Sequence, residues 1–296
     1  MKIGYSCINL SMKCRASRTF RLKSFSEERL VKTVEGNLEC LEKIINYNID
    51  NNILFLRITS DLIPFASHQI NSFQWQEKFS TKFKEIGRKI KEADMRISMH
   101  PGQYTVLNSN KELVSKKAIK ELSYHADVLD LLGLDNSAKI NIHVGGVYGD
   151  KKAAMDRFIR RYKKLPKKIK KRLIIENDEK SYSVSDCLYI SKKTGIPVTF
   201  DNLHHQINNE EEDIERLLEE VFQSWDKEDG LPIVHYSSQK KDERSGRHAD
   251  HLDGEDLKKF LKETTEFNFD LMLEIKDKEK SAKKALKIIK DLEIKK

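Results

Sequence analysis

Six side chains able to bind a metal ion, His100, His143, Glu176, Asp201, His235 and Glu274, follow one another at wide spacing. Each ends a short apolar run: RISM before His100, KINI before His143, LII before Glu176, VTF before Asp201, PIV before His235 and LML before Glu274. A lone histidine in such a place is more often a hydrogen-bonded core residue than a ligand. A whole series is different, because carboxylates and imidazoles buried together without a counter-ion carry a severe desolvation cost that divalent cations remove. Mixed imidazole and carboxylate sets suit Mn2+ or Zn2+, whereas Mg2+ and Ca2+ favour all-oxygen shells. The expectation is two or three divalent ions, the ligand types leaving Mn2+ and Zn2+ both open, with both oxygens of Glu176 available to bridge two of them. Further donors stand just beyond the runs: His68, His204 and His205 in DNLHH, and His248, Asp250 and His251 in RHADH. Of the nine histidines, His125 alone falls in a helical pattern, where packing is the default role.

The elements that must position these residues alternate. Short runs rich in Val and Ile read as strands at Lys2 to Ile8, Ile53 to Ile58, Arg96 to Met99, Lys139 to His143, Leu173 to Glu176, Pro197 to Asp201, Pro232 to His235 and Phe269 to Glu274. Helical periods lie between them: Glu27 to Tyr47, Gln74 to Ala93, Glu112 to Leu132, Lys151 to Lys163, Ser185 to Lys193, Glu210 to Ser224, Asp256 to Glu266 and Lys278 to Leu292. In the first, Leu30, Val34, Leu38, Leu41 and Ile45 share one face behind an N-cap at Ser26. Runs apolar on both faces suit parallel strands covered by helices. Eight such units in 296 residues, with no linker, predict a (β/α)8 TIM barrel as a single domain over residues 1–296. A doubly wound sheet is the rival, but no GxGxxG follows the first strand. In a barrel the strand C-termini form one mouth, and the ligand series would converge there.

The formal charge of +8 permits an acidic partner without requiring one. Cys7, Cys14, Cys40 and Cys187 form no CxxC pair and are expected to be reduced and mostly structural, in a cytoplasmic protein. No apolar stretch approaches the roughly 18 residues of a membrane span.

At these motifs the sequence closely resembles the UV damage endonuclease family, whose barrel superfamily also holds AP endonucleases and xylose isomerases. The resemblance runs nearly the full length through IGYSCIN (from Ile3), LRITSDLIPFASH (from Leu56), MHPGQYTVL (from Met99) and NIHVGG (from Asn141). It continues through IIEND (from Ile174), TFDNLHH (from Thr199), VHYSS (from Val234) and RHADH (from Arg247).

The resemblance implies cutting of damaged double-stranded DNA immediately 5′ of cyclobutane dimers, 6-4 photoproducts and abasic sites, leaving a 3′-hydroxyl and a 5′-phosphate. The metal ligands it implies are His100, His143, Glu176, Asp201, His204, His235, His248 and Glu274. Two ions about 3.5–4 Å apart would clamp the phosphate and activate water, with Glu176, Glu274 and His235 as the catalytic core. Gln103 and Tyr104 would probe the duplex and fill the gap left by flipped nucleotides, and Tyr5 and Asn9 would line the lesion pocket. Several family members carry lysine two residues before the seventh-strand histidine; here that position is Ile233, so no role of that lysine transfers.

For phosphate contacts the candidates are Arg15, Arg18, Arg21 and Lys23 after the first strand, and Lys240, Lys241, Arg244 and Arg247 after the seventh. The densest basic run, Lys163 to Arg172, precedes a strand, faces away from the mouth and reads as a solvated turn. No membrane and no obligate protein partner are implied. The rivals are a metal-dependent sugar isomerase or epimerase on a similar barrel, an AP endonuclease restricted to abasic sites, and a non-catalytic DNA-binding scaffold. A small sugar pocket would not call for the loop cations or the Gln103-Tyr104 pair.

Overall fold

The computed structural model describes residues 1–209 and 214–292. Eight strands, β1 (Ile3–Ser6), β2 (Phe55–Ile58), β3 (Arg96–Met99), β4 (Lys139–His143), β5 (Leu173–Glu176), β6 (Val198–Asp201), β7 (Ile233–Tyr236) and β8 (Asp270–Leu273), pair in sequence order. All are parallel, and β1 closes on β8. The single-domain (β/α)8 barrel is therefore the architecture found.

Helices follow each strand. The first, α1 (Glu27–Asp50), buries the expected stripe from Leu30 to Ile45, and the Ser26 hydroxyl accepts the Arg29 amide at its start. Helix Val184–Thr194 begins with a capping box between Ser183 and Asp186 and stops at Gly195, where φ is +73°. The span expected as one helix from Gln74 breaks at Phe79 into Trp75–Lys78 and Ser80–Glu92, because Phe79 leaves helical geometry with its ring buried. The helix expected from Glu210 is described as Ile214–Gln223, and residues 210–213 lie outside the described residues. No helix among the described residues is long and apolar enough to cross a membrane.

Strand ends differ from expectation where the backbone turns. β1 stops at Ser6 because Cys7 has φ of +67°. β7 runs through Tyr236, so His235 sits one residue inside its end, and Glu274 stands one residue past β8. The register brings the candidate ligands side by side: His143 pairs with Glu176 across β4 and β5, and Asp201 with His235 across β6 and β7.

Two expectations are corrected. Cys14 and Cys40 form a disulfide, leaving Cys7 and Cys187 free, because α1 carries Cys40 to within 5.8 Å, Cα to Cα, of the loop after β1. The basic run before β5 is not wholly solvated: Arg172 is 1% exposed, and its guanidinium donates to Asp130 at 2.6 Å and to the carbonyls of Asp135, Leu134 and Ala138. A buried guanidinium is held only by such full pairing.

Adjacent strands approach closely at Gly4, where a Cβ would lie 2.4 Å from the Phe55 carbonyl oxygen. Gly4→Ala should destabilise the barrel by about 1–3 kcal/mol, read as a lower urea midpoint at unchanged slope. An unchanged midpoint would show that β1 and β2 can part without cost.

Candidate metal centre

Glu176 ends β5 almost fully buried, and three imidazoles surround it. His100 Nε2 lies 2.9 Å and His143 Nε2 3.0 Å from its Oε1, while His235 Nδ1 lies 2.5 Å from its Oε2. The His235 nitrogen also faces Glu274 Oε1 at 3.5 Å and Asp201 Oδ2 at 4.0 Å. Two donor groups result, His100, His143 and Glu176 in one, and Glu176, Asp201, His235 and Glu274 in the other, with Glu176 common to both. Asp201 Oδ2 is buried without a hydrogen-bond partner, and Glu176 Oε2 and His235 Nδ1 face one another closely but without hydrogen-bond geometry. Donor atoms of this chemistry, aimed into one space, fit divalent cations.

Backbone carbonyls set the histidine tautomers. His100 Nδ1 donates to the Pro101 carbonyl at 3.0 Å, His204 Nδ1 to Asn177 at 3.0 Å, and His248 Nδ1 to Glu274 at 2.6 Å. A carbonyl only accepts, so each ring carries a proton on Nδ1, and in the neutral ring the lone pair then sits on Nε2. The rings of His100, His143, His204 and His248 form an arc, with successive centroids 5.3, 5.9 and 6.1 Å apart. His204 and His248 thus stand beside the two donor groups without belonging to either.

Charge in the centre is uneven. Burial drives the Glu176 carboxyl toward protonation, but His143, His235 and His100 outweigh it and hold it well below the ordinary carboxylate range. Burial acts likewise on Glu274, and Arg57 with His235 reverses it. Asp201 is pushed upward by burial, with Glu274 and Glu176 adding to the effect and His204 opposing it. Burial lowers His143 and would lower His204, yet Asp201, Glu176 and Glu274 raise His204 to about 9.

Several other expected donors are not brought in. His205 packs on the Phe200 ring, His251 pairs with Asp277 at 2.9 Å while exposed, and His68 lies at the surface against Phe65. Asp250 is held by Lys240 and Lys276, each at 2.8 Å. His125 is buried on helix Glu112–Leu131 and faces the Glu121 carbonyl. Tyr5 and Asn9, expected to line a pocket, are closed off from solvent: the Tyr5 hydroxyl donates to Asn48 of α1 at 2.7 Å and accepts from Asn9. A strand residue facing the helical layer cannot also face the mouth.

At the rim Gln103 is exposed and Tyr104 is 83% exposed, in the loop that follows His100. Arg15, Arg18, Arg244 and Arg247 are exposed on loops at the same end, and Lys240 is partly exposed there. Ile233 is buried one layer below His235, against Phe55, Ile174 and Met272.

Arg57 was missed by the ligand series. Its guanidinium contacts Glu274 at 2.6 Å and His235 Nε2 at 2.9 Å, so it fixes two members of the centre at once. The available signal was a cation inside the otherwise apolar strand FLRI, since a buried charge needs a partner. Asn177 was also missed: its side chain exchanges hydrogen bonds with the Asp201 backbone, while its carbonyl orients His204.

The family model for UV-endonuclease UvdE matches residues 1–296. The chain belongs to this family. Among UvdE relatives, the UV DNA damage endonuclease of Clostridium perfringens (strain 13 / Type A) is 44% identical over 294 residues, covering 99% of this chain and 71% of that protein. The crystal structure of SacUVDE superposes with a TM-score of 0.94 at 47% identity, over 99% of both chains. D-Psicose 3-epimerase from Clostridium cellulolyticum H10 superposes with a TM-score of 0.55 at 13% identity, over 84% of this chain and 92% of that one. Its likeness to this UvdE chain shows the barrel fold alone.

An imidazole must be neutral to bind a metal, and His204 stays protonated up to about pH 9 without one. Mn2+ affinity should therefore rise with pH and level off near that value, with protons released on binding. Calorimetry in buffers of differing ionisation enthalpy measures the release, which should shrink in His204→Asn; equal release from both proteins would contradict a ligand role for His204.

Proposed function

We propose that the chain is a divalent-metal-dependent endonuclease that nicks double-stranded DNA immediately 5′ of cyclobutane dimers, 6-4 photoproducts and abasic sites. The products are a 3′-hydroxyl and a 5′-phosphate, and the enzyme works in the cytoplasm on chromosomal DNA. UvdE membership supports the substrate class. The observation that carries the chemistry is the shared carboxylate: Glu176 joins two groups of donors, its Oε1 facing His100 and His143 and its Oε2 facing His235.

His100, His143 and Glu176 would hold one ion, and Glu176, Asp201, His235 and Glu274 would hold another. His204 and His248 would complete the shell or hold a third. Mn2+ is the first choice and Zn2+ the second. Bound ions supply neutralisation of phosphate charge and a lowered pKa for water. The chain's own work is positional. Glu176, Glu274 and His235 form the catalytic core, kept in place by Arg57 and by the carbonyls that fix the imidazole tautomers.

Gln103 and Tyr104 meet the duplex at the lesion, and the exposed Tyr104 ring fills the space of extruded nucleotides. Extrusion costs a few kcal/mol and less at a damaged step, which favours lesions over intact DNA. Arg15, Arg18, Lys240, Arg244 and Arg247 bind backbone phosphates without reading sequence.

An end-labelled duplex carrying one cyclobutane dimer, incubated with protein and Mn2+ beside undamaged and abasic controls, tests the reading. A nick 5′ of the dimer is expected, and its absence would sink the proposal. Loss of residues that merely orient ligands lowers metal-centre activity by about 10–100-fold, so Glu176→Ala should lose more than about 100-fold while remaining folded. Near-wild-type cutting by that variant would remove Glu176 from the centre.

A further inference from the structure

One lysine at the mouth has the wrong surroundings for a structural role. Lys278 immediately precedes helix Glu279–Asp291, with φ of 54° and ψ of −115°, backbone values that residues other than glycine rarely adopt. Cys7, on the neighbouring β1 end, also has positive φ. Non-glycine residues held in such geometry concentrate at ligand clamps and active sites. A cation at a helix N-terminus is also opposed by the helix dipole, so its position gives no local stabilisation.

The ammonium nevertheless turns inward. Its Nζ donates to Ser6 Oγ at 2.9 Å. Ser6 pairs in register with Arg57, whose side chain enters the barrel to reach Glu274 and His235, so Ser6 faces the interior too. Among the described residues Lys278 forms no ion pair. Its neighbours are otherwise engaged: Lys276 and Lys240 share Asp250, Asp277 binds His251 and Ser281, and Glu279 accepts from Leu10 and Ser11. Burial disfavours the charge, Cys7 and Glu274 offset this only in part, and Arg57 adds to it.

We propose that Lys278, held by Ser6, is a phosphate-binding residue of this site, its ammonium receiving a non-bridging oxygen of the DNA phosphate that lies over the Glu176 and Glu274 carboxylates. The inference rests on the endonuclease reading. It makes Ser6 a positioning residue, and it gives the mouth a cation independent of any metal ion.

The test uses Mn2+-loaded protein and dimer-containing duplex, with Lys278→Met, Lys278→Gln and Lys278→Arg checked for folding and metal content. Wild-type Mn2+ content is expected in all three. The Met and Gln variants should lose about tenfold or more in kcat/KM, with the slope of log affinity against log salt shallower by about one; Lys278→Arg should recover most of both. When the phosphate at the nick position is replaced by a neutral methylphosphonate, wild type and Lys278→Met should bind alike. A Met variant equal to wild type in rate and salt slope, or a binding defect that persists on the methylphosphonate duplex, would overturn the proposal alone. A wild type that neither cuts nor prefers the damaged duplex would overturn the endonuclease reading and this one with it.

Discussion

Three carboxylates, Glu176, Asp201 and Glu274, converge on one buried imidazole, His235. Taking anions out of water is expensive unless positive charge replaces the lost hydration. The protein meets this only in part. Glu176 has its histidines and Glu274 has Arg57, but Asp201 remains pushed toward protonation by burial and by its two acidic neighbours. The outstanding negative charge is what a divalent cation would neutralise, and the residues around it could hold one.

The rest of the molecule follows from keeping that cluster rigid. Parallel strands in strict order place residues of equal register at equal height, so His143 meets Glu176 and Asp201 meets His235 without help from loops. Carbonyls of Pro101, Asn177 and Glu274 then choose which ring nitrogen stays free. The opposite end of the barrel has a different task. There Arg96 pairs with Asp270, Lys139 with Asp229, and Arg172 with Asp130, which closes the barrel floor with ion pairs. Rim loops carry the aromatic and cationic side chains that a large acidic substrate needs, above a centre whose geometry does not depend on them.

Much of this was legible in the sequence. A period of apolar runs gave eight strands, and three of them, β3, β4 and β5, have the bounds expected. The ligand series was legible because strand ends in a barrel share one mouth. What stayed hidden depends on contacts between distant residues. The Cys14 to Cys40 pairing needs α1 in place, and the inward turn of Arg57 and Ser6 needs the β1 to β2 register. Tyr5 looked like a mouth residue from its motif, but strand alternation sends it to the helical layer. His205 and His251 share dipeptide or triplet spacing with true neighbours of the cluster, and only the turn of the backbone separates them from His204 and His248.

We propose Glu176 as the shared ligand of two metal positions. Anomalous diffraction from crystals of the Mn2+-loaded protein tests it most directly. Two peaks flanking the Glu176 carboxylate are predicted, one bounded by His100 and His143, the other by Asp201, His235 and Glu274. Peaks away from Glu176, or none in crystals shown to contain Mn2+, would contradict a shared-ligand role for Glu176.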